Sequence, residues 1–370
     1  MPQKMDARGN ENTAGHTGVL TMSETTTWAD PGLGQMPGLG NERSRGGAEV
    51  KAGLEPGLAA VRYLYDNSRV DSDWSVLEGR GFTWWADNLA QRVWAEPGFD
   101  DDGIKVFRVF AETDLVRGVG DMPGVMQAVD AFNGLSAGSA LVVDAEAGTV
   151  HSVASMWVHE QSKDWIARTF SVIAAIGVAQ AGQQASMLAP LVGGEVAISE
   201  HPDSGPRPEP DEMLGLLDLI KSDGAGPSQW AGDDMAATLA QVQALPIVTL
   251  ANGDETGVAI EVPYRQTTAL IQLDTAEAHP GLGSGMVVRL SLPGDAGPGP
   301  EWAAMRNRQE LETLTRSHFV GSWVGSASFA TFVSFYPNLL ARTGMGATNV
   351  ALSMINRAMW IANEGRSAGG

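Results

Sequence analysis

The sequence predicts an α+β protein of two tandem lobes, each a mainly antiparallel sheet packed with helices, behind a disordered N-terminal arm. Three observations carry this. An order of helix, three or four strands, helix, two strands and helix occurs twice along the 370 residues. Between the two occurrences stands His201-Pro-Asp-Ser-Gly-Pro-Arg-Pro-Glu-Pro, whose prolines forbid a continuing helix or a central strand. The first 50 residues hold Gly, Thr, Asn and Glu, with an echo at Pro31-Gly-Leu-Gly and Pro37-Gly-Leu-Gly. Such a stretch buries too little apolar surface to offset its ordering entropy. The expected divisions are an arm over 1–50, a first lobe over 51–200, a proline-rich linker over 201–228 and a second lobe over 229–370. Met22 offers an alternative start within the arm.

In the first lobe, Leu54, Leu58, Val61 and Tyr65 recur at helical spacing over 54–66. Short apolar runs at 74–78, 82–86, 89–95 and 104–113 follow, separated by Gly79-Arg-Gly, Asp87-Asn and Pro97-Gly. Their aromatic and β-branched content between turn residues predicts strands. Pro123 suits the first turn of a helix capped by Asp121 and ending near Asn133-Gly. Runs at 140–143 and 150–158 flank Asp144-Ala-Glu-Ala-Gly and predict a hairpin. Ser162 then caps a helix over 165–188, with Trp165, Thr169, Val172 and Ile176 along one stripe.

The second lobe repeats the order. A helix is expected at 230–244 and strands at 247–251, 257–262, 267–273 and 286–292, the first turn supplied by Asn252-Gly-Asp-Glu-Thr-Gly. A helix at 301–316, strands at 319–324 and 328–335, and a helix at 348–363 complete it. The residues themselves do not match between the lobes, so the repeat is one of pattern.

Composition excludes several classes of function. The chain has no cysteine, which removes disulfides, thiolate metal sites and a cysteine nucleophile. Its 44 acidic against 24 basic residues give a net charge of −20, which repels a phosphate backbone and argues against nucleic acid. The first 27 residues are polar and lack the apolar core of a signal peptide. The longest apolar stretch, 170–181, is broken by Ser171, Gly177 and Gln180 and falls short of the roughly 20 residues of a bilayer span. The expectation is a cytoplasmic protein without a membrane partner.

Each constellation of reactive residue types has a plainer reading. His151 and His159 share a strand face but lie about 26 Å apart at 3.3 Å per residue, too far to share a metal. Asp100-Asp-Asp lacks the alternating ligands of a calcium loop and reads as a solvated turn. Asp144 and Glu146 fall in a hairpin turn, where nothing raises a carboxyl into acid duty. Gly281-Leu-Gly-Ser-Gly feeds a strand, whereas a dinucleotide fingerprint opens a helix. Gly321-Ser-Trp-Val-Gly does not centre its serine as a nucleophile elbow requires. No cofactor or metal is expected, and no catalytic residue.

The faces of two strands are more informative. Val150, Ser152, Ala154, Met156 and Val158 fall on one side of their strand, and His151, Val153, Ser155, Trp157 and His159 on the other. Likewise Leu89, Val93 and Ala95 oppose Arg92, Trp94 and Glu96. Trp94 and Trp157, bordered by Arg92 and His159, therefore form a candidate outward-facing surface for a peptide, with acid groups of the peptide near Arg92. The competing reading covers these tryptophans with the other lobe or the N-terminal helix.

Local text adds a resemblance. Phe82-Thr-Trp-Trp followed by Leu89-Ala-Gln-Arg-Val-Trp-Ala-Glu-Pro, with Ala111-Glu-Thr-Asp-Leu and Phe319-Val-Gly-Ser-Trp, resembles the TY-Chap family, whose lobes are similar to type III secretion chaperones and YbjN-like proteins. The resemblance covers 54–190 and, more loosely, 230–364. It implies non-enzymatic, chaperone-like binding of a polypeptide client in tandem lobes. Two alternatives stand beside it. One is a hydrolase-type enzyme with a site assembled from distant residues; the other is an assembly protein that forms homo-oligomers through its helices.

Overall fold

The computed structural model describes residues 53–101, 103–120, 122–293, 299–313, 317–325 and 329–367. The expected arm, Asp102 and the capping Asp121 lie outside the described residues. The chain is α+β, with two antiparallel sheets.

The first half opens with α1 (Pro56–Asn67), which starts on a proline whose missing N–H costs a helix nothing and buries Ala59, Ala60 and Leu64. β1 (Ser75–Glu78), β2 (Gly81–Trp85), β3 (Ala90–Ala95), β4 (Phe99–Asp101) and the long β5 (Ile104–Arg117) follow as a meander. α2 (Met122–Asn133) crosses to the hairpin β6 (Ala140–Asp144) and β7 (Thr149–Val158); then come α3 (Lys163–Val192) and the short β8 (Glu195–Val196). The strands order as β1-β2-β3-β5-β7-β6, with β4 and β8 pairing on β5.

α3 starts after Ser162 as expected, but the serine hydroxyl bonds to the backbone of His159 rather than capping the helix. From Thr169 to Val178 every residue of α3 is buried, not one stripe. A helix apolar all round belongs in a core with neighbours on every side. Here the first sheet lies on one side, and the Thr169 hydroxyl meets that of Thr343 at 2.7 Å on another. By length and composition α3 could cross a membrane, yet 72% of its most apolar window is buried inside the protein.

The second half holds α4 (Leu216–Asp223), α5 (Asp233–Gln243), β9 (Thr249–Asp254), β10 (Gly257–Tyr264), β11 (Thr267–Asp274) and β12 (Gly285–Pro293). α6 (Pro300–Glu312), β13 (Ser322–Gly325), β14 (Phe329–Pro337), α7 (Asn338–Ala341) and α8 (Ala347–Ser367) complete it. Its sheet runs β9-β10-β11-β12-β14-β13, the same order as the first. The ladders set the two in register: Arg92, Glu112 and Val153 lie side by side in the first sheet, and Gln272, Arg289 and Val333 in the second.

One detail is duplicated at the level of single bonds. Asn133, ending α2, donates to the carbonyl of Leu141 at 3.1 Å and accepts from its N–H at 2.7 Å. Asn307 in α6 treats Trp323 identically, at 3.1 and 2.7 Å. Leu141 and Trp323 occupy matching positions on the edge strands β6 and β13. Each carboxamide thus satisfies backbone groups that an edge strand would otherwise leave open.

The halves meet reciprocally: α2 packs on α6, α2 on β13, and α6 on β6. Ser322 donates to the carbonyl of Asn133 at 2.9 Å, and Asp130 accepts from the N–H of Gly325 at 2.8 Å. Beyond the first residue of β6, Phe319 takes its place beside β7, exchanging backbone bonds of 2.9 and 2.8 Å with Ser155. A single apolar cluster runs through both halves, from Leu64 and Phe170 to Phe332 and Ile355.

The segment 201–228 is packed rather than extended. Arg207, its side chain only 10% exposed, donates to the carbonyl of Trp85 at 2.8 Å, pairs with Asp211 at 3.2 Å and lies over the Trp74 ring. Asp211 bonds through its N–H to Ala86, and α4 rests against α3. At the far side of this segment Gly283 (φ +79°) passes so near Gly224 that a Cβ would stand 2.4 Å from the Gly224 carbonyl oxygen, which only glycine avoids.

Candidate functional site

One face of the first sheet receives α1 and α3; the opposite, outer face carries Arg92 and Trp94 on β3, Arg108, Phe110, Glu112 and Asp114 on β5, and His151, Ser155 and Trp157 on β7. The second half closes only one end of it. Trp157 is buried, donating through its indole N–H to the Ser317 carbonyl at 2.9 Å and through its backbone N–H to His318 Nδ1 at 3.1 Å. Arg108, also buried, donates to the carbonyls of Glu310 at 2.7 Å and Leu311 at 2.9 Å in the last turn of α6, where a cation is favoured by the helix dipole. Burial lowers the Arg108 pKa to about 10, opposed by the charges of Glu96 and Glu310, so it stays cationic at neutral pH. The guanidinium lies over the rings of Phe110 and Trp157, 4.6 and 5.3 Å from their centres, and Trp94 stacks on Phe110 at 4.8 Å, 5° from parallel.

The open end is polar. Arg92, with 48% of its side chain exposed, lies 2.7 Å from Glu112 Oε1 and 3.0 Å from Asp114 Oδ1. His151 Nδ1 meets the same two oxygens at 3.2 and 2.7 Å, and its Nε2 meets the Thr149 hydroxyl at 2.7 Å. The hydrogen bond from His151, with Arg92 behind it, holds the Asp114 carboxyl below the usual range. Burial alone lowers His151, but the Asp114 bond and the Glu112 charge outweigh it and raise the imidazole above its ordinary value.

What this cluster can do follows from those shifts. Thr149, His151 and Asp114 stand in the order of a hydroxyl–imidazole–carboxylate relay, in which the carboxylate strengthens the imidazole as a base, but such a relay also needs donors for the oxyanion it generates. Thr149 sits in a ladder between Asp144 of β6 and Arg117 of β5, so its neighbouring N–H groups serve strands rather than converge on a developing oxyanion. Glu112, Asp114 and His151 also offer three atoms close enough to ligate one cation. Arg92 already fills that role, on the same oxygens.

The sequence-derived site therefore needs correction. Trp94 and Arg92 do lie on an outward face, half-buried and exposed respectively. Trp157 does not: β7 is buried on both sides from Ser152 to Val158, because the second half covers the face that alternation assigned to solvent. His159 stands past the strand end, its Nδ1 2.8 Å from Gln161 Oε1, and takes no part in the cluster. The expectation of an acid group near Arg92 also fails on electrostatic grounds, since two carboxylates already neutralise that guanidinium. Glu112 and Asp114 were missed, although their alternation in Ala111-Glu-Thr-Asp-Leu puts both on one strand face. Of the plainer readings, Asp100 accepts from the Gly103 N–H at 3.0 Å, and Asp144 accepts from Glu146 and Ala147, both as turn residues.

Comparison with protein-family models, with curated proteins and with solved structures finds no match to this chain.

Proposed function

We propose that the chain binds an extended segment of another polypeptide, chaperone-like and without catalysis, on the open end of the first sheet's outer face. The observation that carries this reading is the half-closed face itself. The second half seals it at Arg108 and Trp157 and leaves Arg92 and Asp114 nearly half exposed beside the Trp94–Phe110 stack. The half-buried Trp94, backed by the buried Phe110 ring, and the charged rim beside it suit an extended chain, which presents alternate side chains to them. The resemblance of Phe82-Thr-Trp-Trp and its neighbours to TY-Chap proteins supports the same reading. Selection of displayed random 12-residue peptides on the full chain tests it. Enrichment that Trp94→Ala abolishes and Arg289→Ala on the second sheet leaves intact is the expected result. No enrichment, or enrichment indifferent to Trp94, would overturn it.

A further inference from the structure

Resting on that polypeptide-binding reading, we infer that the segment recognised carries a basic side chain two positions from an apolar one: the apolar residue on Trp94, the half-buried member of the stack with the buried Phe110, and the basic residue on Glu112 and Asp114. Two arguments lead there, one of spacing and one of charge.

Phe110, Glu112 and Asp114 are alternate residues of β5, and Trp94 and Arg92 are alternate residues of β3 alongside. Same-side residues of a strand recur at about 6.6–6.8 Å. An extended peptide has the same repeat. A residue seated on Trp94 therefore sends its neighbour two positions along to the carboxylates, while the residue between points to water. The next position the other way meets Arg108 and Trp157, which α6 and the segment at 317–319 cover. The usable register is thus short, one apolar step and one charged step.

The charged step prefers a cation. Glu112 and Asp114 spend one oxygen each, Oε1 and Oδ1, on both Arg92 and His151. Their second oxygens have no partner among the described residues, and 42% of the Asp114 side chain is exposed. Two carboxylates face one permanent cation, and His151 is charged only when protonated, so while the carboxylates are ionised the cluster is neutral or negative. A chain of net charge −20 reinforces the preference at longer range. An acidic segment would meet repulsion at both scales.

Fluorescence anisotropy of labelled ten-residue peptides with the full chain tests this. One peptide carries Leu-Ser-Arg at its centre, one Leu-Ser-Glu and one Leu-Arg-Ser, all otherwise Gly and Ser. The expected order places Leu-Ser-Arg about fivefold tighter than the other two, the size of a half-exposed ion pair, with the advantage shrinking in 1 M salt. Glu112→Gln with Asp114→Asn, isosteric changes on a folded sheet, is expected to erase the fivefold advantage; Arg289→Gln on the second sheet keeps it. Equal binding of all three peptides overturns the charge and spacing rule while leaving polypeptide binding intact. Binding of none overturns both. Self-association that Asp114→Asn abolishes would name a second copy of this chain as the occupant and also overturn the rule.

Discussion

The two sheets share strand order and the asparagine clamp on the edge strand, yet their outer faces differ at every matched polar position. Where the first sheet has Arg92, Glu112, Asp114 and His151, the ladders put Gln272, Arg289, Ser291 and Thr331 in the second. At the position of Glu112 the charge is reversed, and Arg289 turns instead to Glu277, a two-pronged pair at 2.6 and 2.7 Å. Strand order and edge protection follow from alternation and from backbone bonds that every such sheet must satisfy, so both halves keep them. The outer face is under no such demand, and what differs there is where a site can be placed. The comparison therefore separates what builds the fold from what the first half alone can do.

Their polar interiors differ as well, and the largest expected effects come from there. The second half buries Arg357 against Glu310, at 2.9 Å with both side chains fully covered, and Trp323 donates to the same carboxylate at 2.5 Å. The first half uses a neutral group: Gln91 accepts from Trp84 at 2.9 Å and donates to the Ala174 carbonyl at 3.0 Å. Removing one partner of a buried ion pair leaves an uncompensated charge and costs about 3–5 kcal/mol, whereas losing neutral bonds costs about 1–3 kcal/mol. Glu310→Ala is expected to lower the urea midpoint more than Gln91→Ala. Equal losses would mean that the two cores are electrostatically alike.

Trp157→Ala tests where the outer face of the first sheet stops being surface. As a buried indole between the halves it is expected to cost about 3–5 kcal/mol, with Trp94→Ala, half-buried at the rim, costing well under half of that. A silent Trp157→Ala would reopen the face as a docking surface along its whole length. The asparagine clamps should come next and match each other. Asn133→Ala and Asn307→Ala each strip two bonds from an edge strand and leave a backbone N–H and carbonyl unsatisfied, for about 2 kcal/mol apiece. If one is costly and the other silent, the duplication is one of shape alone.

Much of this was legible in the residues, for reasons that also explain the failures. Aromatic and β-branched runs between turn residues located β5, and 3.6-residue spacing over 54–66 located α1, which buries Ala60, Val61 and Leu64 against the core. α4 went unseen: Leu216–Asp223 is short and follows a run of prolines, which marks a break in chain direction without saying that the chain packs. Alternation in β7 separated its two faces correctly but carried no information on what covers the second. Ser155 and Trp157 are compatible with water and are closed by Phe319 and Ser317, over 150 residues away. The charged cluster is hidden in the same way. Arg92, the Glu112–Asp114 pair and His151 sit on three strands, and only the pairing order brings them side by side.

The smallest expected effect isolates that cluster from the rest of the protein. His151→Thr gives the first sheet the residue that Thr331 supplies in the second. The His151 imidazole is held above its ordinary value by Asp114 and Glu112, against burial, so the folded state binds its proton more tightly than the unfolded chain. Its contribution to stability is then fully present below the unfolded value near pH 6.5 and is lost as pH rises through the folded value. Asp114 acts at the other end: held below the usual carboxylate range, it contributes above the unfolded value near pH 4 and loses that contribution as pH falls further. His318, buried and lowered to about 3, works in the opposite direction to His151, destabilising the fold as pH falls from about 6.5 toward 3. Both His318 and His279, which burial also lowers, are present in the variant as in the parent, so they cancel when the two stabilities are subtracted. The difference between parent and His151→Thr, read from urea unfolding at steps between pH 5 and 9, is expected to be largest at the acid end and to fall toward the alkaline end. With Asp114 nearly half exposed, its span should be under about 1 kcal/mol. A difference flat across that range would mean that His151 is an uncharged member of the sheet, and that Arg92 alone balances the two carboxylates.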